Sequence, residues 1–377
     1  MRITDVHAQV LSYRFPEPPR PLSVGSPDRR DVVLVRVTTE DGTTGHGESF
    51  HGHAGTAVAE IVNTTLHRVV VGREVHDAVG LNDHVHRRFV DGAGMSDAFL
   101  GALSGVDIAM WDARGKVEGR PVAELLGGTL GPVPAYGGGF ALGFQEPARL
   151  VEAAAEITAR LGVGAIKVRV GDHPSRDLAR VRAVRDAFGD ELQIMLDANS
   201  GLPYDVARIV RPLEELGVVW LEEPYAPTRR AAFVRLRQVS TLPLAGGENL
   251  IGAHQFYDWI DTGAIDVVQP DVSRCGGITE AARIAALARI SGRRLAPHIS
   301  HSGLNHAATL HLVRGLGADA WFEADASIDN PFRDGVLDGG VRVVDGLART
   351  SDAPGLGVQV DEERLAAFPG QTGSPFS

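Results

Sequence analysis

The chain has 377 residues, 44% hydrophobic and 23% charged, the balance of a soluble globular enzyme with room for two domains or one large domain and an addition. A formal net charge of −11 argues against nucleic acid or an anionic membrane as a partner, and no apolar run reaches the roughly 18 residues that a membrane span needs. A single cysteine, Cys275, excludes an intrachain disulfide and a cysteine zinc cluster, so a reducing cytoplasm is the expected setting.

The segment MRITDVHAQVLSYRF alternates with period two and reads as a strand rather than a signal peptide. A Pro-rich loop, PEPPRPLSVGSPDRR, separates it from DVVLVRVTTEDGTTGHGES, two strands joined at a DG turn. From about residue 55 to 127 the pattern is helical, with AFLGALSGVDIAMWDARGKVEG as its longest amphipathic run. After GPVPAYGGG, short apolar runs alternate with amphipathic stretches. VPAYGG, GAIKVRV, LQIMLDA, VVWLEE, PLAGGE, IDVVQPD, RLAPHIS and DAWFE are the expected strands. YDVARIVRPLEELG is expected as a helix with Val206, Ile209, Val210, Leu213 and Leu216 on one face, and TEAARIAALARISG as another with Ile284, Leu287 and Ile290. The tail PGQTGSPFS is expected to fray.

Strands alternating with helices imply a parallel sheet. Lys167, Asp197, Glu222, Glu248, Asp271, His298 and Glu323 stand at successive strand ends, 30, 25, 26, 23, 27 and 25 residues apart. A spacing near 25 fits one β/α unit, and residues 131–345 hold eight of them, so the fold class expected is α/β with a (β/α)8 barrel. Active sites of such barrels lie at the C-terminal ends of the strands. A doubly wound open sheet is the alternative, but it does not call for an ionisable group at nearly every strand end.

Asp197, Glu222 and Glu248 end consecutive expected strands, about 4.8 Å apart, and so should converge. Three close carboxylates repel unless a cation compensates, and oxygen-only ligands favour Mg²⁺. A single strand-end acid can equally be a helix cap; three in succession favour the metal. Glu223 competes with Glu222, since only one of two adjacent strand residues faces inward. Asp271 and His298 end neighbouring strands, and a carboxylate on one ring nitrogen makes the other a general base. His301 and His306 are rivals for that role. Glu323 would donate a hydrogen bond to a developing oxyanion if protonated or shared.

In this order and spacing the segments resemble the enolase superfamily, in particular its mandelate racemase subgroup, over nearly the whole chain. AMWDARGKVEGRPVAELLGG is similar to the connection into the barrel, and IKVRVG to a Lys-x-Lys motif. LDANSG, LEEP and GENLIG resemble the metal-ligand segments, QPDVSRCGGIT with APHIS the Asp–His dyad, WFE the eighth-strand glutamate, and GLGVQVDEERL the return to the capping domain. The resemblance implies an α+β capping domain at 1–130, the barrel at 131–345, and a return to the cap at 346–377. It implies Mg²⁺ on Asp197, Glu222 and Glu248, choosing Glu222 over Glu223. It also implies removal of the proton α to a carboxylate of a small substrate, giving an enediolate. Asn199 would touch that substrate. Two cap loops, near residues 16–30 and 48–56, would bring Arg20, Arg29, His51 and His53 as specificity contacts. Self-association into a homo-oligomer is compatible with such a barrel, though no sequence feature shows it.

The chain departs from the pattern at Arg169, where the resemblance places a basic Lys. Deprotonating Arg at pH 7 costs about 7 kcal/mol, against about 4.6 for an unperturbed Lys, and Arg does not shift readily. Arg169 is then a fixed cation, Lys167 an electrostatic partner, and His298 the one base. Inversion needs an acid/base on each face; syn β-elimination of water needs one. The expectation is a sugar-acid (aldonate or aldarate) dehydratase, a lyase. A racemase, epimerase or cycloisomerase of the same superfamily is the alternative. A zinc hydrolase or a non-catalytic ligand-binding barrel is more remote.

Overall fold

In the computed structural model, which describes all residues except 18, 24, 96, 130, 300, 317–319 and 376–377, the first third of the chain is an antiparallel sheet backed by helices. Its strands are β1 (Ile3–Arg14), β2 (Arg29–Thr39) and β3 (Thr44–Ser49), and β1 and β2 stay in register from Ile3↔Thr39 to Arg14↔Arg29 apart from one irregularity near Asp5. The expected DG turn joins β2 to β3, with Gly42 at φ +85° and the Thr43 N–H donating to Asp41. The helix Asp97–Glu118 lies directly on β3. Glycine permits that contact: a Cβ on Gly47 would sit 2.2 Å from the Gly105 carbonyl oxygen.

Eight parallel strands then close into a barrel. They are β4 (Val133–Gly138), β5 (Ala165–Arg169), β6 (Gln193–Asp197), β7 (Leu221–Glu222), β8 (Leu244–Gly246), β9 (Val267–Val268), β10 (Arg294–Leu295) and β11 (Phe322–Asp325). Neighbours pair in sequence from β4 to β10, β11 returns to β4, and the bridge Leu295↔Ala320 closes the seam. Every expected strand is present, several of them shorter than expected. Ser300 of APHIS, Asp319 of DAWFE, and Phe376 and Ser377 of the tail fall outside the described residues.

Side chains alternate across each strand. Tyr136, Ala165, Met195, Trp220, Ala245, Val267 and Ala296 form a small buried cluster of their own, the barrel lumen, with Trp321 against it. Ile166, Val168 and Val170 belong instead to the large apolar layer under the helices. Two helical expectations are corrected. YDVARIVRPLEELG is a 3₁₀ turn, Val206–Arg208, and a short helix, Val210–Glu215, because Pro212 has no N–H to carry a continuous ladder. In the helix Gly277–Ile290, Ile284 is buried but Ile290, at the last position, is 77% exposed, so it does not share the buried face.

The C-terminal segment ties the two parts together. Leu347–Arg349 pairs with β4, Pro121 bridges Gly355, and Pro369 bridges Leu11 of β1. Among the described residues, no helix is long and apolar enough to cross a membrane.

Candidate active site

The polar residues at the barrel mouth lie two positions on from lumen residues, so strand alternation alone turns them inward. Ala165 leads to Lys167 and Arg169, Met195 to Asp197, Trp220 to Glu222, Val267 to Gln269 and Asp271, Ala296 to His298, and Trp321 to Glu323 and Asp325. Register then aligns them: Arg169 pairs with Asp197, and Asp197 with Glu222. Glu248 is the exception in phase. Gly247, at φ +134°, breaks the alternation after β8, and a Cβ there would meet Phe256 at 2.7 Å.

Carboxylate oxygens of Asp197, Glu222 and Glu248 lie within 4.8 Å of one another. Glu222 Oε2 accepts from Lys167 and Gln269, at 3.0 and 2.9 Å, while its buried Oε1 has no partner among the described residues. An all-oxygen set with an orphaned carboxylate oxygen fits a hard divalent cation such as Mg²⁺. Glu223 turns away at φ +41° and accepts from Ser200 and Asn249, both at 2.9 Å. Burial, then Glu248 and Glu222, push its carboxyl up to about 8.

Lys167 is wholly buried, 2.8 Å from Glu323, 3.0 Å from Glu222 and 3.5 Å from Asp197. Burial opposes its charge, but Glu222 and Glu323 outweigh it and hold the ammonium well above its usual range. Arg169 contacts Asp197 and donates to Asn199 Oδ1 at 3.2 Å. Glu323 also accepts from the Tyr136 hydroxyl at 3.1 Å, and Lys167 holds it below the usual carboxylate range despite burial. An ionised carboxylate accepts and cannot donate, so the hydrogen-bond donor expected of Glu323 is not available there.

His298 Nδ1 lies 2.7 Å from Asp271 Oδ2 and Nε2 3.1 Å from Glu248. Asp271 can only accept, so Nδ1 carries the proton toward it. Ser273 and Asn305 fix the other Asp271 oxygen. Burial disfavours the imidazolium, yet Glu248 and Asp271 push the His298 pKa up to about 9. The rival His306 bonds the Ser302 carbonyl at 2.7 Å from within the helix Gly303–Gly315 and does not line the cavity.

That cavity, about 100 Å³, is walled by Arg169, His298 and Glu323 on one part and by Arg30, Phe140, His301 and Asp325 on another. The cap-side expectations fare unevenly. Arg29 is corrected: it is buried against Asp31 at 2.9 Å and donates to the carbonyls of Thr372 and Gly373, away from the mouth. Arg20 is exposed and lines an adjoining cavity of about 520 Å³. His51 reaches His301 at 3.2 Å and accepts the backbone N–H of His53, whose own side chain is exposed and near Ser374 rather than in the cavity wall. Asn199 bonds Asp197 through its backbone N–H at 2.7 Å. The sequence reading missed Arg30, His301 as a wall residue, Tyr136, Gln269 and Glu48. Glu48 anchors the seventh loop through the N–H groups of His301 and Ser302 and the Ser302 hydroxyl. For Arg30 a signal existed: Arg29 and Asp31 share a face and pair, leaving Arg30 to the other face.

Two family models match the chain: the mandelate racemase / muconate lactonizing enzyme N-terminal domain over residues 5–127, and the enolase C-terminal domain-like model over 149–364. D-galactarolactone cycloisomerase of Agrobacterium fabrum is 32% identical over 98% of this chain and 99% of its own length. Arabinonate dehydratase of Saccharolobus solfataricus is 30% identical over 88% of each. Among solved structures, an enolase superfamily member from a Polaromonas species superposes at TM-score 0.95 with 40% identity, covering all of both chains. A racemase from Streptomyces coelicolor with bound magnesium gives TM-score 0.87 at 30% identity over 97% of this chain and 99% of its own.

Proposed function

The chain belongs to the mandelate racemase / muconate lactonizing enzyme group of the enolase superfamily, and on that premise we propose that it dehydrates a sugar acid, an aldonate or aldarate, to a 2-keto acid. The observation that carries the reading is the state of the two barrel cations. Lys167 is locked as an ammonium between Glu222 and Glu323, and Arg169 carries a guanidinium, a group whose chemistry suits a fixed cation and not a base. His298 is left as the base: the Glu248 charge that helps raise its pKa is one that a bound cation would neutralise, which frees Nε2 to accept a proton.

Asp197, Glu222 and Glu248 would hold Mg²⁺, which when bound supplies positive charge against the oxygens of the enediolate. His298 Nε2 takes the proton from the carbon α to the carboxylate, while Asp271 fixes the ring and steadies the imidazolium. Lys167 and Arg169 add fixed positive charge beside the substrate carboxylate. The imidazolium returns its proton to the β-hydroxyl on the same face. The C–O bond breaks, water leaves, and the enol tautomerises to the 2-keto acid.

A second reading has specific support. The Agrobacterium relative is a cycloisomerase and is aligned end to end with this chain. Opening a lactone uses the same base, with the ring oxygen as leaving group in place of hydroxide. Incubation with Mg²⁺ and a library of aldonates, aldarates and their lactones separates the two. Formation of 2-keto acid from an open-chain acid is expected. Activity confined to lactone opening or to racemisation would overturn dehydration.

A further inference from the structure

Arg30 sits where the cavity beside His298 meets the larger outer one, lining both together with Phe140. It is 5% exposed, with Phe15 and Phe140 rings at 5.8 and 5.4 Å from its guanidinium carbon. Its Nε and Nη2 have no hydrogen-bond partner among the described residues. Asp325 is 4.0 Å from Nη2, but its oxygens are already engaged by Asn330 at 2.9 Å, Ser327 N–H at 3.0 Å and Arg333 at 3.3 Å.

The remaining contact of Arg30 does not satisfy it either. Nη1 lies 3.2 Å from His301 Nδ1. The proton on that nitrogen can be placed by following the chain of rings from a fixed donor. The His53 backbone N–H donates to His51 Nδ1, so neutral His51 carries its proton on Nε2. That Nε2 faces His301 Nε2 at 3.2 Å, which must accept, so neutral His301 carries its proton on Nδ1. Burial keeps both rings neutral, His51 at about 3 and His301 well below its usual value. Two N–H donors, Arg30 Nη1 and His301 Nδ1, therefore point into one space with no acceptor between them among the described residues. Buried donors left this way are costly and call for an oxygen.

We propose that Arg30 and His301 Nδ1–H bind the second, distal carboxylate of a sugar diacid whose reacting carboxylate lies beside Lys167 and Arg169. The inference rests on the sugar-acid reading above and narrows it from aldonates and aldarates to aldarates and their lactones. The guanidinium fork matches a planar carboxylate, and the flanking rings leave its edge rather than its faces for a ligand. A carboxylate oxygen at the His301 side would accept from both donors at once.

The test compares a six-carbon aldarate with the aldonate that differs only in ending in CH₂OH. Wild-type kcat/KM is expected to favour the aldarate. Arg30→Met should lower the aldarate-to-aldonate ratio roughly 10- to 100-fold, mostly through KM, as expected for loss of a charge-assisted pair. Arg30→Lys should restore part of the ratio. A wild type that prefers the aldonate, or a ratio unchanged in Arg30→Met, overturns the proposal; if Arg30→Met does not fold, the wild-type preference decides. If neither acid reacts, the dehydration reading fails. Calorimetry with His298→Asn and Mg²⁺ then decides: tighter binding of the diacid supports the site, and equal affinities overturn it.

Discussion

The strand ends of the barrel and the wall that the cap brings against them solve opposite electrostatic problems. At the strand ends nearly every charge has a counter-charge: Lys167 with Glu222 and Glu323, Arg169 with Asp197, His298 with Asp271 and Glu248. On the cap-side wall, His51 and His301 are held neutral, and Arg30 keeps N–H groups without acceptors among the described residues. The first region is preorganised before any substrate arrives, as transition-state stabilisation requires. On the proposal above, the second would be completed by a ligand. Chemistry and selectivity would then fall to different structural layers, each open to change with limited effect on the other.

Removing the cation should break the strand-end region most completely. Dialysis against EDTA is expected to abolish turnover, with Mg²⁺ restoring it and Zn²⁺ not doing so, followed by 2-keto acid release. His298→Asn should come next, costing about 10²–10⁴ in α-proton exchange in D₂O, the range of a general base. If exchange survives in His298→Asn but stops in Arg169→Ala, the base has been misassigned. Arg169→Lys should be milder, keeping measurable dehydration because positive charge remains beside Asp197.

The smallest expected effect concerns the joint between the regions. Burial pushes the Glu48 carboxyl from 4.5 up to about 7, against hydrogen bonds from Ser302. Between those values the folded state binds the proton more readily than the unfolded chain, so the contribution of Glu48 to stability falls as pH rises through the window. The wild type should lose on the order of 2–3 kcal/mol from this group across it. Glu48→Gln should flatten the slope of Tm against pH between those limits. Parallel slopes would show that Glu48 does not titrate there.

Much of the strand-end region was legible because period-two alternation and a regular interval are properties of the chain itself. Lys167, Asp197, Glu222, Asp271, His298 and Glu323 could be found without knowing what they face. Glu222 against Glu223 could not be decided from the residues, because the choice depends on Trp220 lying in the lumen. The protonation of Glu323 was equally out of reach: it is set by Lys167, 156 positions away in the sequence and 2.8 Å away in space. On the cap side a loop offers no period. His51 reaches the wall through His301, whereas Arg29 is expected there and Arg30 is not, although the pairing of Arg29 with Asp31 two residues on is visible in RRD.

That buried Arg29 gives the far end of the chain a hold on the mouth. Its guanidinium grips the backbone oxygens of Thr372 and Gly373, and Gln371 donates to Ser12 on the neighbouring strand. Arg30 is the next residue. A purification handle or a deletion that displaces residues 371–373 would therefore loosen the strand that presents Arg30. An assay on such a protein would report an altered choice of acid before it reported any loss of fold.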